Sequence, residues 1–284
     1  MTMLVIGASG LVGAELVRRA RVQDRKCIGA ARTITGEATR AVDLLDRASL
    51  DALLAKVSPN VVAVCSAWPY VDGCESDPAR SLRENVTTVE NLLQALEGTT
   101  TKVVFFSTDH VFDGTLPRNI ETDAVNPTSV YAKHKRQVEE MLHARGHCLI
   151  VRTAWVFGQE LRKKNFVYRV VAAAKNGDTV KLPVGQAGSP TWTGWLAEST
   201  LTLLDRGLDG VVHLAGNEPL AKAEWAMLIA HALDLPALEV VEVPWEAAGQ
   251  VAPRPARVVL ASERHELVHP ELRAILHAEA PHFV

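Results

Sequence analysis

A glycine-rich turn near the N-terminus constrains the fold more than any other feature of the sequence. A short apolar run at residues 3–6 leads into Gly7, Gly10 and Gly13 in a GxxGxxG pattern, and apolar residues then recur at helical spacing over 11–20. In such a turn the first glycine permits a tight bend, the second lets backbone approach a diphosphate, and the third allows close packing of helix on strand. The pattern predicts a strand, a turn and a helix whose N-terminus receives the diphosphate of a dinucleotide.

The rest of the first half alternates buried-type strands with helical patterns. Apolar runs at residues 26–32, 60–66, 102–107 and 147–152 are separated by connections of ordinary length. Continuous apolar strands are typical of a parallel sheet that is covered on both faces. The sequence therefore predicts an α/β fold with a right-handed, doubly wound parallel sheet of the Rossmann type.

The alternation breaks after Gly158, where helices and short strands follow in irregular order. We interpret these later segments as a smaller C-terminal lobe that contributes to substrate binding. The predicted division places residues 1–157 plus 191–216 in the dinucleotide-binding domain and residues 158–190 plus 217–284 in the smaller substrate lobe.

Composition narrows the class of protein further. The chain has 284 residues, 48% hydrophobic and 22% charged, and a net charge of -3, which gives no electrostatic argument for nucleic acid or an anionic membrane as a partner. No apolar run reaches the length of about 18 residues that spans a bilayer, and no basic leader precedes the first strand. The four cysteines lack CxxC or Cys/His spacing. We therefore expect a cytoplasmic protein with reduced thiols.

Three residues in the middle of the chain suggest acid-base chemistry. Thr108 follows the apolar strand 102–107, and Tyr131 and Lys135 lie four residues apart, so that they share one face of a helix. A free phenol has a pKa of about 10, and an adjacent ammonium favours the phenolate, so Lys135 is expected to lower the pKa of Tyr131. A Tyr and a Lys at this spacing also occur on solvated helix faces, so the pair alone does not indicate catalysis. The catalytic interpretation depends on the glycine-rich turn as well.

The end of the second strand indicates which dinucleotide is preferred. An NAD site carries an acid there that binds the ribose 2′-hydroxyl, whereas this chain has Ala30, Ala31 and Arg32. Without that acid a 2′-phosphate is not repelled, and Arg32 can pair with it, so NADP(H) is preferred and NAD(H) stays an alternative. Asp43 follows the next short strand, where it can accept a hydrogen bond from an adenine amino group or cap the following helix.

One pattern suggests a metal site. Residues 265–269 read HELVH and formally match HExxH, the zinc-protease signature. Pro270 biases His269 away from helical geometry, and few residues remain downstream to supply a third ligand. We interpret the match as accidental and expect no metal ligands.

Together, the glycine-rich turn, Thr108 and the YxxxK pair resemble the extended short-chain dehydrogenase/reductase superfamily. Further segments, in this order, resemble the dTDP-4-dehydrorhamnose reductases, which reduce the 4-keto group of a nucleotide-linked 6-deoxy sugar. The resemblance extends over nearly the whole chain. The matching segments are residues 107–114, 151–158, 165–166, 188–191, 213–216 and 254–255.

The resemblance implies roles for individual residues. Thr108 would hydrogen-bond the substrate carbonyl, Tyr131 would protonate its oxygen, and Lys135 would hold the nicotinamide ribose. The implied cofactor contacts are Gly7, Gly10, Leu11 and Val12 at the diphosphate, Asp43 and Leu44 at the adenine, and Ser66 and Ala67 at the ribose and nicotinamide. The implied substrate contacts are His110 beside the catalytic residues, Trp155 near the sugar, and Asn165 and Gln186 near the nucleotide.

Two residues depart from the family pattern. His110 stands where the family usually carries tyrosine, and Ala132 replaces the glycine of YGxxK. Two other functions stay open. A sugar-nucleotide epimerase or dehydratase is one, although related dehydratases have Asp-Glu where this chain has Asp109-His110. The other is a non-catalytic dinucleotide-binding regulatory subunit, like that of methionine adenosyltransferase. Members of the family can be dimers, so a homodimer is possible.

Overall fold

The structure is a computed structural model that describes residues 1–284. It contains thirteen strands and ten α-helices. The strands are β1 (Thr2–Ile6), β2 (Lys26–Ala31), β3 (Arg40–Ala41), β4 (Val61–Val64), β5 (Lys102–Thr108), β6 (Cys148–Thr153), β7 (Val156–Phe157), β8 (Val180–Pro183), β9 (Ala187–Gly188), β10 (Thr191–Trp192), β11 (Gly210–His213), β12 (Leu220–Ala221) and β13 (Val240–Val243). The helices are α1 (Leu11–Val22), α2 (Arg47–Val57), α3 (Val71–Ser76), α4 (Pro78–Leu82), α5 (Thr88–Ala95), α6 (Val130–Arg145), α7 (Phe166–Asn176), α8 (Thr193–Asp205), α9 (Lys222–Ala232) and α10 (Leu272–Phe283).

Seven strands form one parallel sheet in the order β11-β6-β5-β4-β1-β2-β3. The order reverses between β1 and β4, where Ile6 pairs with Val64. Connections leave this point toward opposite edges of the sheet, and ligands of doubly wound sheets bind just beyond the carboxyl ends of the strands there. The predicted α/β Rossmann fold is confirmed.

Side chains on the two faces of the sheet build two separate cores. Because successive residues of a strand point to opposite faces, Val5 joins the core beneath α1 and α8, and Leu4 joins the core beneath α2, α5 and α6. Leu16 and Leu201 contribute to the first core, and Leu142 of α6 lies in the second. Both cores fix the helices that carry site residues.

A third core lies among α7, α9 and α10, at the C-terminal side of the chain. Phe157, Val170, Trp225 and Leu276 are buried there, next to the parallel pair of β8 and β13. The chain returns to the main sheet near its C-terminus, where Arg264 donates hydrogen bonds to main-chain carbonyls at the start of β11. The division into a larger and a smaller unit stays a prediction.

The predicted helix at residues 78–96 is present but contains an irregular turn. Residues Arg83–Thr87 form a π-helical segment between α4 and α5. Asn85 lies in this segment, accepts a hydrogen bond from the Trp68 amide at 2.7 Å, and donates one to the Trp68 carbonyl at 3.2 Å. The wide turn therefore fixes the loop that follows β4. None of the helices combines the length and the apolar character needed to cross a bilayer.

Candidate active site

A cleft of about 440 Å³ opens at the carboxyl ends of β1, β2 and β4, where the strand order reverses. Seven of the predicted cofactor residues line it: Gly7, Gly10, Arg32, Asp43, Leu44, Ser66 and Ala67. Five other predicted cofactor residues are absent from its lining: Leu11, Val12, Gly13, Tyr131 and Lys135. The volume lies within the range of small-ligand pockets, and the position is the one expected for a dinucleotide.

The glycine-rich turn forms one end of the cleft. Gly7 has a φ of +90°, and a side chain there would meet the Ser66 amide at 2.5 Å. Gly10 is the N-cap of α1 without a side-chain cap, so the first amides of the helix have no side-chain acceptor and can receive an anion. A Cβ on Gly13 would lie 2.3 Å from the Gly7 carbonyl oxygen, which makes Gly13 a packing residue of the turn.

Two charged residues that were predicted to bind the cofactor, Arg32 and Asp43, line the end of the cleft opposite the glycine-rich turn. Arg32 donates to Glu84 at 2.6 Å. The Asp43 carboxylate accepts from the Leu45 amide at 3.0 Å, whereas Asp46 caps α2. The alternative that Asp43 caps this helix is therefore wrong, and its carboxylate lines the cleft. Two arginines missed by the sequence analysis as cofactor contacts, Arg80 and Arg162, also line it.

Ser66 provides a direct indication that the cleft suits a polar ligand. Its hydroxyl is buried without a hydrogen-bond partner. Buried polar groups are normally paired, and an unpaired hydroxyl beside a cleft can be satisfied by a bound ligand. With the backbone cradle at Gly7 and Gly10 and the guanidinium of Arg32, the residues present fit a nicotinamide dinucleotide.

The three predicted catalytic residues lie on β5 and α6. Thr108 ends β5, where its hydroxyl donates to Asp109 at 3.1 Å and accepts from the His110 amide at 3.2 Å. Tyr131 lies in the first turn of α6, which Ser129 caps. The Tyr131 ring meets the His110 ring edge-to-face at a centroid distance of 6.2 Å, and the Thr108 hydroxyl is close enough to lower the pKa of the phenol.

Lys135 lies on α6 one turn beyond Tyr131, and its side chain is buried. Its ammonium donates to the Phe106 carbonyl at 2.8 Å and lies 4.4 Å from the centre of the Phe105 ring. Burial lowers the pKa of Lys135 to about 8, against the opposing effect of Glu139. At neutral pH the side chain is therefore mostly an ammonium.

The pKa of Tyr131 differs from the prediction. Burial raises it above its usual value, and the carboxylate of Asp109 adds to this effect. The expected lowering by Lys135 is wrong, because a phenolate would be poorly solvated here and the Lys135 ammonium is directed at the Phe106 carbonyl. Tyr131 is thus a neutral phenol that holds its proton across the neutral range.

The predicted substrate residues are placed in different ways. His110 has a buried Nδ1 without a hydrogen-bond partner. Trp155 has a φ of +41°, and its ring packs on Gly188, where a Cβ would lie 2.5 Å away. Asn165 caps α7 and donates to the Gly158 carbonyl at 2.8 Å, so that its amide is used within the protein. Gln186 is buried, and its main-chain carbonyl accepts a hydrogen bond from the Lys222 main-chain amide at 2.7 Å.

Lys222 was not predicted as a site residue from the sequence, and Arg254 was given no role there. Lys222 opens α9 and places its ammonium 3.7 Å from the centre of the Trp155 ring. Arg254 pairs with Asp72 at 2.6 Å. Both cations act on the pKa of His110, together with Asp109, so they belong to the same cluster. No motif marks Lys222, and only the fold brings it to Trp155.

The HExxH match does not form a helix. Residues 265–270 lack regular secondary structure. His265 Nε2 donates to the His213 carbonyl at 2.8 Å, and His269 Nε2 accepts from the Trp192 amide at 2.9 Å. Both rings are therefore bonded to backbone groups, and the shared helical face that the zinc motif needs is missing.

The doubly wound sheet, the glycine-lined cleft and the adjacent Thr108, Tyr131 and Lys135 define an NAD(P)H-dependent oxidoreductase of the short-chain dehydrogenase/reductase type. The family model described as the RmlD substrate binding domain matches residues 1–276. The chain belongs to this family, the dTDP-4-dehydrorhamnose reductase branch of the extended short-chain dehydrogenases/reductases.

Three comparisons illustrate the relationship. A dTDP-4-dehydrorhamnose reductase of Streptomyces griseus is 36% identical over 221 residues, which cover 76% of this chain and 67% of the relative. The crystal structure of a dTDP-4-dehydrorhamnose reductase from Clostridium acetobutylicum superimposes with a TM-score of 0.88 at 27% identity, over 99% of each chain. The methionine adenosyltransferase 2 subunit beta of Xenopus tropicalis is 27% identical over 260 residues, which cover 89% of this chain and 78% of the relative.

Proposed function

We propose that this protein reduces the 4-keto group of a nucleotide-linked 6-deoxy sugar, with NADPH as the preferred reductant. The observation that carries the proposal is the buried, neutral phenol of Tyr131 beside the Thr108 hydroxyl, with Lys135 one turn further along the same helix. The names of the reductase relatives support the choice of substrate.

The arrangement suits the reduction of a ketone. A nicotinamide held in the cleft would supply the hydride for the carbonyl carbon, and negative charge would develop on the carbonyl oxygen. Thr108 donates a hydrogen bond to that oxygen and Tyr131 gives it a proton, so no free alkoxide has to form. Lys135, one turn further along α6, would supply the positive charge that stabilises the resulting phenolate until a proton is returned to it.

The raised pKa of Tyr131 fits this direction of reaction. A reductase needs its acid protonated before turnover, whereas an alcohol dehydrogenase needs the phenolate as a base. Burial and Asp109 both raise the pKa of Tyr131 and so hold the proton on its phenol. The phenol is therefore in the protonated form that can donate a proton to the carbonyl oxygen of the substrate.

Arg32 supports the preference for NADPH. No acid stands at the end of β2 to bind a ribose 2′-hydroxyl, and Arg32 lines the cleft there. A 2′-phosphate would compete with Glu84 for the guanidinium, because a phosphate carries more charge than a carboxylate and can accept two parallel hydrogen bonds. Binding of the 2′-phosphate thus exchanges one ion pair for a stronger one.

The remaining contacts are proposals on the same basis. His110 and Trp155 would contact the sugar, and Gln186 and the start of α7 at Asn165 would lie at the nucleotide. Leu11 and Val12 would offer their amides to the cofactor diphosphate. A homodimer stays a prediction, and the nucleotide-sugar substrate is the only partner we propose.

The proposal can be tested with a panel of nucleotide-linked 4-keto-6-deoxy sugars, by following the loss of NADPH absorbance. Tyr131→Phe should lower turnover at least about a hundredfold, because the proton donor is removed, while cofactor binding is retained. Tyr70→Phe is the matched control, since Tyr70 is exposed. Full turnover in Tyr131→Phe, or no NADPH oxidation by the native protein with any member of the panel, would contradict the proposal.

A second function is favoured by one observation, the similarity to methionine adenosyltransferase 2 subunit beta. In that case the chain would bind a dinucleotide and dock on an enzyme without catalysing a reaction. Retention of Thr108, Tyr131 and Lys135 argues for catalysis. Co-purification with a synthetase, together with unchanged function of Tyr131→Phe, would favour the regulatory subunit.

The epimerase or dehydratase alternative has less support. A dehydratase needs a further acid and base, and the position that holds glutamate in related enzymes is His110 here. Burial lowers the pKa of His110, so its ring is neutral in the neutral range. Tightly retained oxidised cofactor in the purified protein would favour this alternative.

A further inference from the structure

Lys222 carries an ammonium that the protein does not pair with an acid. Its Nζ lies 3.7 Å from the centre of the Trp155 ring and 4.2 Å from the centre of the Phe166 ring, and no hydrogen bond or ion pair joins it to an oxygen. Two other cations near the catalytic residues do have oxygen partners: Lys135 bonds to a carbonyl and Arg254 pairs with Asp72. Two aromatic faces stabilise the charge only partly.

A second unsatisfied group lies in the same cluster. The Nδ1 atom of His110 is buried without a hydrogen-bond partner, and the His110 ring packs against Tyr131. The charges of Lys222 and Asp109 each act on the pKa of His110, which places these three residues together. A polar atom that is buried without a partner costs free energy, and His110 Nδ1 is such an atom. The Lys222 ammonium in the same cluster lacks an oxygen partner, so a polar ligand bound here can provide partners for both groups.

We propose that Lys222 binds the diphosphate of the nucleotide-linked substrate and thereby positions the sugar beside His110 and Tyr131. This inference rests on the proposed function and names a specificity-determining residue for it. We assign Lys222 to the substrate diphosphate and not to that of the cofactor, because the glycine-rich turn at Gly7 and Gly10 provides the cofactor site, whereas Lys222 lies against Trp155 and Phe166. Trp155 and Phe166 hold the ammonium in position, which reduces the entropy lost on binding.

The surrounding charges favour an anion at this point. Arg169 of α7 and Arg254 add positive potential at Lys222, and Asp109 opposes them. Asp72 already neutralises Arg254 at 2.6 Å, and His110 is neutral. The side chains that face Lys222 therefore leave at least one positive charge to be balanced, which a diphosphate can supply.

Proton uptake provides a specific signature of this contact. Burial, aided by Arg169 and Arg254, lowers the pKa of Lys222 to about 7. Above that pH most molecules carry a neutral amine, and a bound diphosphate raises the pKa again, so binding must take up a proton. A lysine that only braces two aromatic rings would not link proton uptake to nucleotide binding.

The test uses titration calorimetry with dTDP-glucose and UDP-glucose, neither of which has a keto group to be reduced. Thymidine and uridine serve as probes without the diphosphate. Lys222→Met should weaken binding of the nucleotide sugar at least about tenfold, because a charge-assisted hydrogen bond is lost, and should leave nucleoside binding unchanged. Lys222→Arg should bind within about threefold of the native protein, since the charge is kept.

Two further measurements complete the experiment. At a pH one unit above the Lys222 pKa, titrations in two buffers with different ionisation enthalpies should show proton uptake by the native protein and none by Lys222→Met. Lys181→Met is the matched control, because Lys181 is exposed on β8. Thermal melting of each variant shows whether it is folded.

The outcomes separate the inference from the proposed function. Unchanged nucleotide-sugar binding by folded Lys222→Met, or an equal loss for nucleosides and nucleotide sugars, would overturn the inference. So would the failure of the native protein to bind either nucleotide sugar. If binding depends on Lys222 as expected but no keto sugar is reduced, the inference stands and the proposed reaction fails.

Discussion

Glu139 and Arg152 form an ion pair in the interior of the protein, with Arg152 Nη2 donating to Glu139 Oε2 at 2.8 Å and both side chains almost completely buried. Arg152 lies on β6, and Glu139 lies on α6 one turn beyond Lys135. The Ser107 hydroxyl also donates to Glu139, at 2.6 Å. The pair therefore fixes the position of α6 on the sheet, and with it the distance of Tyr131 from the end of β5.

Removing one charge from this pair should strongly destabilise the fold. Glu139→Gln leaves the guanidinium of Arg152 buried without a counter-ion, which costs about 3–5 kcal/mol in the free energy of unfolding. Urea denaturation of the native protein and the variant measures this difference. Glu140→Gln is the matched control on the same helix, because Glu140 is exposed and its pair with Arg136 contributes no more than about 1 kcal/mol. Equal denaturation midpoints for the two variants would contradict the assigned role.

Two glycines of the N-terminal turn should respond differently to the same change. In Gly13→Ala the new Cβ would lie 2.3 Å from the Gly7 carbonyl oxygen, so the turn has to move, at a cost of about 1–3 kcal/mol in unfolding free energy. In Gly10→Ala the nearest atom is 3.3 Å away, and the main effect should be weaker dinucleotide binding, since the methyl group faces the diphosphate position. Thermal melting and cofactor titration of both variants test the distinction. A Gly10→Ala protein that binds NADPH normally would contradict it.

The sequence predicts the two parts of the site that are local in the chain. The glycine-rich turn is contiguous from Gly7 to Gly13, and Tyr131 and Lys135 share one helix, so short patterns are enough to identify them. The burial of these side chains cannot be predicted from such short patterns. The pKa of Tyr131 is raised because the tertiary fold removes water and brings Asp109 close, and no spacing rule contains that information.

Residues that reach the site from distant segments were also missed. Lys222 opens a helix near the end of the chain and meets Trp155 only because α9 packs beside β7 in the third core. The alternative in which Asp43 caps α2 was wrong because the helix begins later, after Asp46, and helix boundaries are the least certain part of a sequence-based prediction. The sequence therefore identifies the candidate catalytic residues more completely than candidate substrate contacts such as Lys222.

Arg32 should determine the preference between the two nicotinamide dinucleotides. Arg32→Ala removes the guanidinium that follows β2, and NADPH binding should weaken roughly tenfold to a hundredfold, as expected for a lost charge-assisted hydrogen bond. NADH binding should change little, because NADH has no 2′-phosphate. Fluorescence titration with both cofactors measures the ratio. Arg40→Ala is the control, since Arg40 is exposed outside the cleft. Equal losses for NADPH and NADH would contradict the role of Arg32.

Deprotonation of Lys135 should limit turnover on the alkaline side. Burial lowers its pKa to about 8, so the ammonium that stabilises the phenolate of Tyr131 is present below that pH and is lost above it. We expect kcat, measured at saturating substrate so that Lys222 is occupied, to fall as the pH rises through about 8. Tyr131 is not the source of this fall, because burial raises its pKa.

Lys135→Arg should be less active but should lack the alkaline limb, since arginine keeps its charge. Lys133→Met, at an exposed position of α6, should reproduce the native profile. Persistence of the limb in Lys135→Arg would assign it to another group.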